Sequence, residues 1–274
     1  MSNHDGIPRI FTFLRYAGEV QKSDWSSCRD HPDVIISLDC GSFKRLSMPE
    51  VIRNKVTLIN IDHHISNAQF GDINIVDARY CATGAMISDL LLAMQVALSA
   101  SMASAIYTSV LTDTASFRLN SASASVYRLA ADLIDAGAEP WPISVAVYES
   151  KSLAGMHILT ASLETLEMRD DGRSAWICVN REMYEKTGAD VEDTEGLIDY
   201  ARSIDGVEIA VLIRCHELDG RWKVNFRAKT TTNVSSLASD LGGGGHQHAA
   251  GCVMQGSFEE VRAIIRQEVS QLLG

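Results

Sequence analysis

Three short and nearly continuous apolar runs near the start of the chain each end in an acid. They are Asp33–Asp39 (DVIISLD), Lys55–Asp62 (KVTLINID) and, more weakly, Asp72–Asp77 (DINIVD). Runs without polar alternation suit strands of a parallel sheet buried on both faces. Between the first two, Lys44–Asn54 reads as a crossover helix, which completes a βαβ unit. Apolar positions at helical spacing then mark Thr83–Gln95, Ser99–Leu111, Ala122–Gly137 and Pro140–Glu149. The second half changes rhythm. Ala175–Val179, Val207–Cys215 and Trp222–Ala228 read as strands, and Asp219-Gly220 predicts a hairpin between the last two. Glu182–Lys186, Glu195–Arg202, Ser235–Leu241 and Phe258–Leu272 read as helices. The pattern predicts an α/β protein with a parallel-sheet domain, helices on both of its sides, and a smaller mixed α/β domain. The boundary falls in a helical connector near Ser150–Thr160, which divides the chain into residues 1–153 and 154–274.

Composition narrows the class. The chain has 274 residues, enough for two ordinary domains, with 46% hydrophobic and 22% charged residues. The longest apolar stretch, Met86–Met102, is interrupted by Ser88, Asp89, Gln95, Ser99 and Ser101, so it reads as buried helix rather than a membrane span. The opening residues lack the charged and apolar regions of a secretory signal. Six cysteines are scattered without a CxxC pair, which fits free thiols in a reducing cytoplasm. A net charge of −11 argues against a broad nucleic-acid surface but suits a carboxylate-rich site that binds divalent cations.

In open α/β sheets ligands bind at the carboxyl ends of the strands. Asp39 ends the first run in LDCGS, Asp62-His63-His64 ends the second in NIDHHISN, and Asp113 follows a helix in LTDTASFR. Carboxylates and imidazoles from separate elements suit metals such as manganese, and two such ions can hold a phosphate for in-line displacement. Taken singly, a strand-end Asp is as readily a turn or cap residue, so the pattern rests on the set. A second constellation is Gly242-Gly243-Gly244-Gly245-His246, a glycine loop able to expose N–H groups to an anion. Upstream, Arg227 and Lys229 offer charge for phosphate.

Together these strings resemble the DHH phosphoesterase family in its DHHA1 branch. They are DVIISLDCGS, NIDHHISN, LTDTASFR, VNFRAKTTTNVSSLASDLGGGGHQHAAG and, more weakly, IPRIFTFL. The resemblance runs over essentially the whole chain and is strongest to small two-domain oligoribonucleases that also act on 3′-phosphoadenosine-5′-phosphate. It implies a DHH metal domain, a DHHA1 substrate domain and an active-site cleft between them. It implies two Mn2+ ions, with Mg2+ or Co2+ as substitutes. Asp39 would bridge the metals, and His63 and Asp113 would be ligands. Asp62 would orient His63, His64 would face the scissile phosphate, and Arg118 would stand nearby. Arg227, Gly244, Gly245 and His246 would hold the substrate's terminal phosphate and base. The family's opening string HxNPDxDAxGS does not occur, and Asn3-His4-Asp5-Gly6 has the wrong spacing to replace it. The resemblance therefore implies an N-terminally incomplete DHH domain, whether through a downstream start or a true loss, with a sheet edge left exposed or covered by a homodimer. The leading expectation is a manganese-dependent hydrolase of short single-stranded RNA or small 3′-phosphonucleotides. The alternatives are a non-catalytic nucleotide-binding protein, an inorganic pyrophosphatase, which the GGGGHxxAAG tail disfavours, and a cyclic-dinucleotide phosphodiesterase.

Overall fold

A computed structural model describes residues 2–3, 6–22, 25, 32–216, 220–229 and 231–274. His4, Asp5 and Asp219, named above, and Cys28, one of the six cysteines, lie outside the described residues. The chain forms two compact units, Met1–Ser150 and Lys151–Gly274. Among the described residues no helix is long and apolar enough to cross a membrane.

The first unit opens with a two-residue parallel pairing of β1 (Ser2–Asn3) and β2 (Gln21–Lys22). Its main sheet is parallel, in the order β3 (Val34–Leu38), β4 (Thr57–Asp62), β5 (Ile73–Val76). The three apolar runs thus become three adjacent strands. The crossover between β3 and β4 is not one helix. Phe43–Leu46 forms a 3₁₀ turn, Ser47 is left-handed at φ 50°, and α1 is confined to Glu50–Arg53 after Pro49. Proline lacks an amide hydrogen and disfavours helix in the residue before it, so Lys44–Asn54 cannot run as a continuous helix. Four helices follow: α2 (Thr83–Ala93), α3 (Ala100–Asp113), α4 (Ala124–Asp135) and α5 (Pro140–Tyr148). Ile106, Tyr107 and Leu111 of α3 pack with Ala130 and Leu133 of α4 and Ile143 of α5.

The two faces of the parallel sheet differ. Leu58 points into a cluster with Met48, Ile52 and Val56 and is fully buried. On the opposite face, register places Ile36 beside Ile59 and Ile73, and Leu38 beside Ile61 and Ile75. Val34, Ile36, Leu38, Ile73 and Ile75 there are 44–58% exposed. The expected helical cover on both sides is therefore present on one side only among the described residues.

The second unit begins with α6 (Leu153–Leu163), whose N-cap Ser152 accepts from the Gly155 amide. Six strands follow: β6 (Glu167–Arg169), β7 (Ser174–Val179), β8 (Ile209–His216), β9 (Arg221–Ala228), β10 (Gly244–His246) and β11 (Ala249–Gln255). Their order is β10-β11-β9-β8-β7-β6, with only β7 and β8 parallel. The unalternated β8 run is explained by burial on both faces. Ile209, Val211 and Ile213 join α9 (Val234–Asp240) and α10 (Phe258–Leu273) in one core, while Ala210 and Leu212 join α6 and α8 (Leu197–Ser203) in the other. A capping box of Ser257 and Glu260 starts α10.

The asymmetry of the parallel sheet can be tested by unfolding. Leu58→Ala should cost about 2–5 kcal/mol in urea denaturation, because it opens a core cavity. Ile36→Ala should cost less than about 1 kcal/mol, as an exposed position does. An equal loss at both would mean that the outer face is covered in solution.

Candidate metal centre and substrate residues

The register of β3 against β4 builds the centre. Leu38 stands opposite Ile61, and the Asp39 amide donates to the Ile61 carbonyl at 3.0 Å. Asp39 itself turns out of the strand in the left-handed region, at φ 56°, which Asp tolerates better than most residues. Its Oδ1 accepts from Thr83 Oγ1 at 2.9 Å, at the start of α2. On the next strand end, His63 Nε2 lies 3.5 Å from Asp39 Oδ1 and 3.8 Å from Asp113 Oδ2. Asp113 comes from the last residue of α3. After it, Ala115, Ser116 and Phe117 all take positive φ, with the buried Thr114 hydroxyl accepting from the Phe117 amide at 3.0 Å.

His63 thus stands within ligand-sharing distance of two carboxylates from different elements. Two metal–ligand bonds of about 2.1 Å span up to about 4.2 Å, so either pair can bind one ion. The electrostatics agree. Desolvation, with the Asp39 charge added to it, pushes the Asp113 carboxyl up to about 7. A bound cation removes the cost of a second negative charge here, so the donor set fits a hard or borderline divalent ion.

The roles within the DHH triplet differ from the sequence expectation. Asp62 does not orient the His63 ring. Its Oδ1 accepts from the His63 backbone amide at 2.8 Å and pairs with His64 Nδ1 at 2.7 Å. The His63 ring instead sets Nδ1 against the Tyr80 carbonyl at 3.2 Å. Asp62 is fully buried, which opposes ionisation, but hydrogen bonds from Asn67 and His64 outweigh burial and hold its carboxyl below the usual value. Ligating atoms of Asp39, Asp62 and His64 also lie within 4.8 Å of one another. Arg118 is exposed, with its Nε donating to the Ala115 carbonyl at 2.7 Å. No hydrogen bond or ion pair joins Arg118 to Asp39, His63 or Asp113 among the described residues. Thr83, Asn60, Asn67 and the Tyr80 carbonyl were not anticipated. The two asparagines flank the triplet in NIDHHISN, and Thr83 is the polar residue opening an apolar helix.

In the second unit the glycine run is not a loop throughout. Gly244–His246 forms edge strand β10, paired antiparallel with β11. A side chain at Gly245, whose φ is 147°, would stand 2.5 Å from the Ala249 carbonyl oxygen. At Gly244 it would meet nothing within 4 Å. The fold therefore requires glycine at 245 and leaves position 244 open. Arg227, on β9, is half-buried, and desolvation lowers its pKa against the opposing charges of Asp199 and Glu195. Lys229 Nζ donates to the Ile204 carbonyl at 2.5 Å.

A family model for the DHHA1 domain matches residues 177–272. Over 219 residues the chain is 30% identical to the bifunctional oligoribonuclease and PAP phosphatase NrnA of Thermus thermophilus, covering 78% of this chain and 65% of that protein. Residues 177–272 carry a DHHA1 domain, and the chain is similar to that relative over most of its own length. It spans about two thirds of the length of that relative. The Bacillus subtilis protein of the same name is 25% identical over 211 residues, 76% of this chain and 66% of its own. The crystal structure of an exopolyphosphatase-related protein from Bacteroides fragilis superposes with a TM-score of 0.88 at 23% identity, over 98% of this chain and 82% of that one. That likeness shows that the two chains share a fold. The parallel-sheet unit carries the DHH triplet, and the matched DHHA1 segment carries Arg227 and the glycine run.

The raised Asp113 value has a consequence for the metal-free protein. A carboxyl raised from 3.8 to about 7 on folding contributes stability that is complete below pH 3.8 and is lost as pH rises through about 7. In EDTA, the urea midpoint of the wild type should fall between pH 5 and pH 8 relative to Asp113→Asn. Parallel pH curves for the two proteins would show that Asp113 titrates normally.

Proposed function

We propose that this chain is a divalent-metal-dependent phosphoesterase acting on short oligoribonucleotides or 3′-phosphoadenosine-5′-phosphate-type nucleotides, with Mn2+ as the working ion. The observation that carries the reading is His63 Nε2 standing between Asp39 and Asp113 at the strand ends of a chain with a DHHA1 domain. Asp39, His63 and Asp113 would hold metal. When bound, such an ion supplies positive charge to a phosphate and lowers the pKa of water.

The chain's own groups have separate tasks. Asp62 holds the His64 ring by Nδ1, so proton exchange with a substrate falls to Nε2. Arg227 binds a terminal phosphate, bidentately where geometry allows. Gly244 lets substrate approach the backbone of β10, and this explains a glycine that the fold itself does not require. Small ligands of this kind suit a chain with net charge −11 better than long duplexes do. The relatives named for oligoribonuclease and PAP phosphatase activity support the same substrate class.

Turnover is tested with purified protein, Mn2+, adenosine 3′,5′-bisphosphate and RNAs of a few nucleotides. Hydrolysis should require the metal. Asp39→Ala should lower kcat/KM by at least about 100-fold through lost metal binding, and His64→Gln should lower kcat by about 10²–10⁴-fold. Nucleotide binding without metal-dependent turnover would instead establish the non-catalytic alternative.

Substrate capture is tested by calorimetry. Arg227→Ala should weaken adenosine 3′,5′-bisphosphate binding by at least about 1.5 kcal/mol, the lower end for a charge-assisted hydrogen bond. Gly244→Val should weaken binding while leaving the thermal midpoint near wild type. Gly245→Ala should lower the midpoint, because its side chain collides with β11. Unchanged affinity in Arg227→Ala and Gly244→Val would remove the substrate role of this strand.

A further inference from the structure

Beneath the DHH triplet lies a polar cluster that the proposed reaction does not itself use. Asn67 Nδ2 faces Asp62 Oδ2 at 2.6 Å, Asn60 Oδ1 at 2.8 Å and the Cys40 carbonyl at 3.1 Å. Fully buried Asn60 sends its own Nδ2 to the same Cys40 carbonyl at 3.2 Å. The amide orientation is dictated by its surroundings. Asn67 Oδ1 accepts from the Gln69 backbone amide at 2.6 Å, and a flipped amide would turn its oxygen toward three acceptors. The Asn67 backbone closes the same turn by donating to the His64 carbonyl at 3.1 Å, and Ala68 donates to the Gly41 carbonyl at 2.9 Å.

These contacts join two strand ends that carry different candidate ligands. The Cys40 carbonyl directly follows Asp39, whereas Asp62 directly precedes His63. Two side-chain amides from the β4 side therefore clamp the chain just after Asp39. The bond to Asp62 Oδ2 also sets the plane of that carboxylate, so that Oδ1 meets His64 Nδ1 and the His63 amide. Asn67 touches none of Asp39, His63 or Asp113 through a hydrogen bond in the described residues, so its influence on them is indirect.

We propose that Asn67 is a positioning residue: it locks the β3 and β4 strand ends together and fixes the Asp62–His64 pair in one orientation. The role rests on the metal-centre reading above. Groups that hold ligands from behind typically change metal affinity or activity by about 10–100-fold when removed. An asparagine with only a structural role would change stability instead.

Asn67→Ala and the isosteric Asn67→Asp, which keeps the shape but loses the donor, are compared with Asn180→Ala. Asn180 caps α7 (Arg181–Thr187) by accepting from the Met183 amide, in the other unit. Circular dichroism and thermal melting first show which variants fold, and Asn67→Asp serves if Asn67→Ala does not. Both Asn67 variants should weaken Mn2+ binding, measured by electron paramagnetic resonance, by about 10-fold or more. Their kcat should fall by about 10–100-fold, with KM for adenosine 3′,5′-bisphosphate within about threefold. Asn180→Ala should lose thermal stability with both quantities unchanged. In the metal-free protein, imidazole ¹⁵N spectra should show one Nδ1–H tautomer of His64 in the wild type and a mixture in Asn67→Ala. Absence of Mn2+ binding by the wild type would sink the metal-centre reading alone, and the His64 spectrum would still decide the lock. Variants of Asn67 with wild-type metal affinity, or with a wild-type His64 spectrum, overturn the proposal.

Discussion

The register of β3 on β4 is the constraint from which the candidate centre follows. Side chains along a strand alternate faces, so a slip of one residue would turn Asp39 away from His63 and send Leu58 out of its core. The apolar side of the sheet holds that register through Leu58 and the cluster around Met48, Ile52 and Val56. At the strand ends the work passes to hydrogen bonds: Asp39 to the Ile61 carbonyl, and Asn60 and Asn67 to the Cys40 carbonyl. Packing sets which residues arrive together, and the buried amides set how they face one another.

What arrives together is electrostatically costly. Asp39, Asp62 and Asp113 collect around two imidazoles, and the carboxylates are managed differently. Asp62 is buried but supplied with donors, so it stays ionised below the usual range. Asp113 is desolvated beside Asp39 with no such donor among the described residues, so it is pushed up to about 7. One carboxylate is satisfied by the protein's own donors, and under the proposed function the other would be neutralised by a bound cation. This division separates an orienting acid from a prospective ligand more sharply than residue type does.

The second unit solves a different problem. Its central strands β7 and β8 are buried on both faces, whereas β9 and β11 bury one face against α9 and α10 and leave Lys223, Asn225 and Arg227 half-buried on the other. The glycine run contributes at edge strand β10, and its glycines are not equivalent. Gly245 is demanded by the close approach of β11, whereas Gly244 has open space. Arg227 is held half-buried near two acids, where its charge carries an energetic cost that an anionic ligand would relieve.

Much of this was legible in the order of residues. Apolar runs without alternation located β3, β4, β5, β7 and β8 within a few positions, although burial on both faces, which such runs suggest, holds for β7 and β8 and not for β3 and β5. Helical spacing located α2 to α5 and α7 to α10, and the strings around Asp39, His63 and Asp113 marked the carboxylates and imidazoles that converge. These are local or periodic properties, written into neighbouring residues. Other features depended on contacts between segments far apart in sequence. The helix expected over Lys44–Asn54 was broken by Pro49 and a left-handed Ser47, and β6, β10 and β11 were too short or too glycine-rich to show a period. Asp62 was assigned to His63, yet the distance that matters, 2.7 Å, is to His64. Asn67 is an ordinary turn asparagine until the fold brings Cys40, Asn60 and Asp62 to its amide. A hydrogen bond depends on a few tenths of an ångström and a direction, and only the assembled strands supply those.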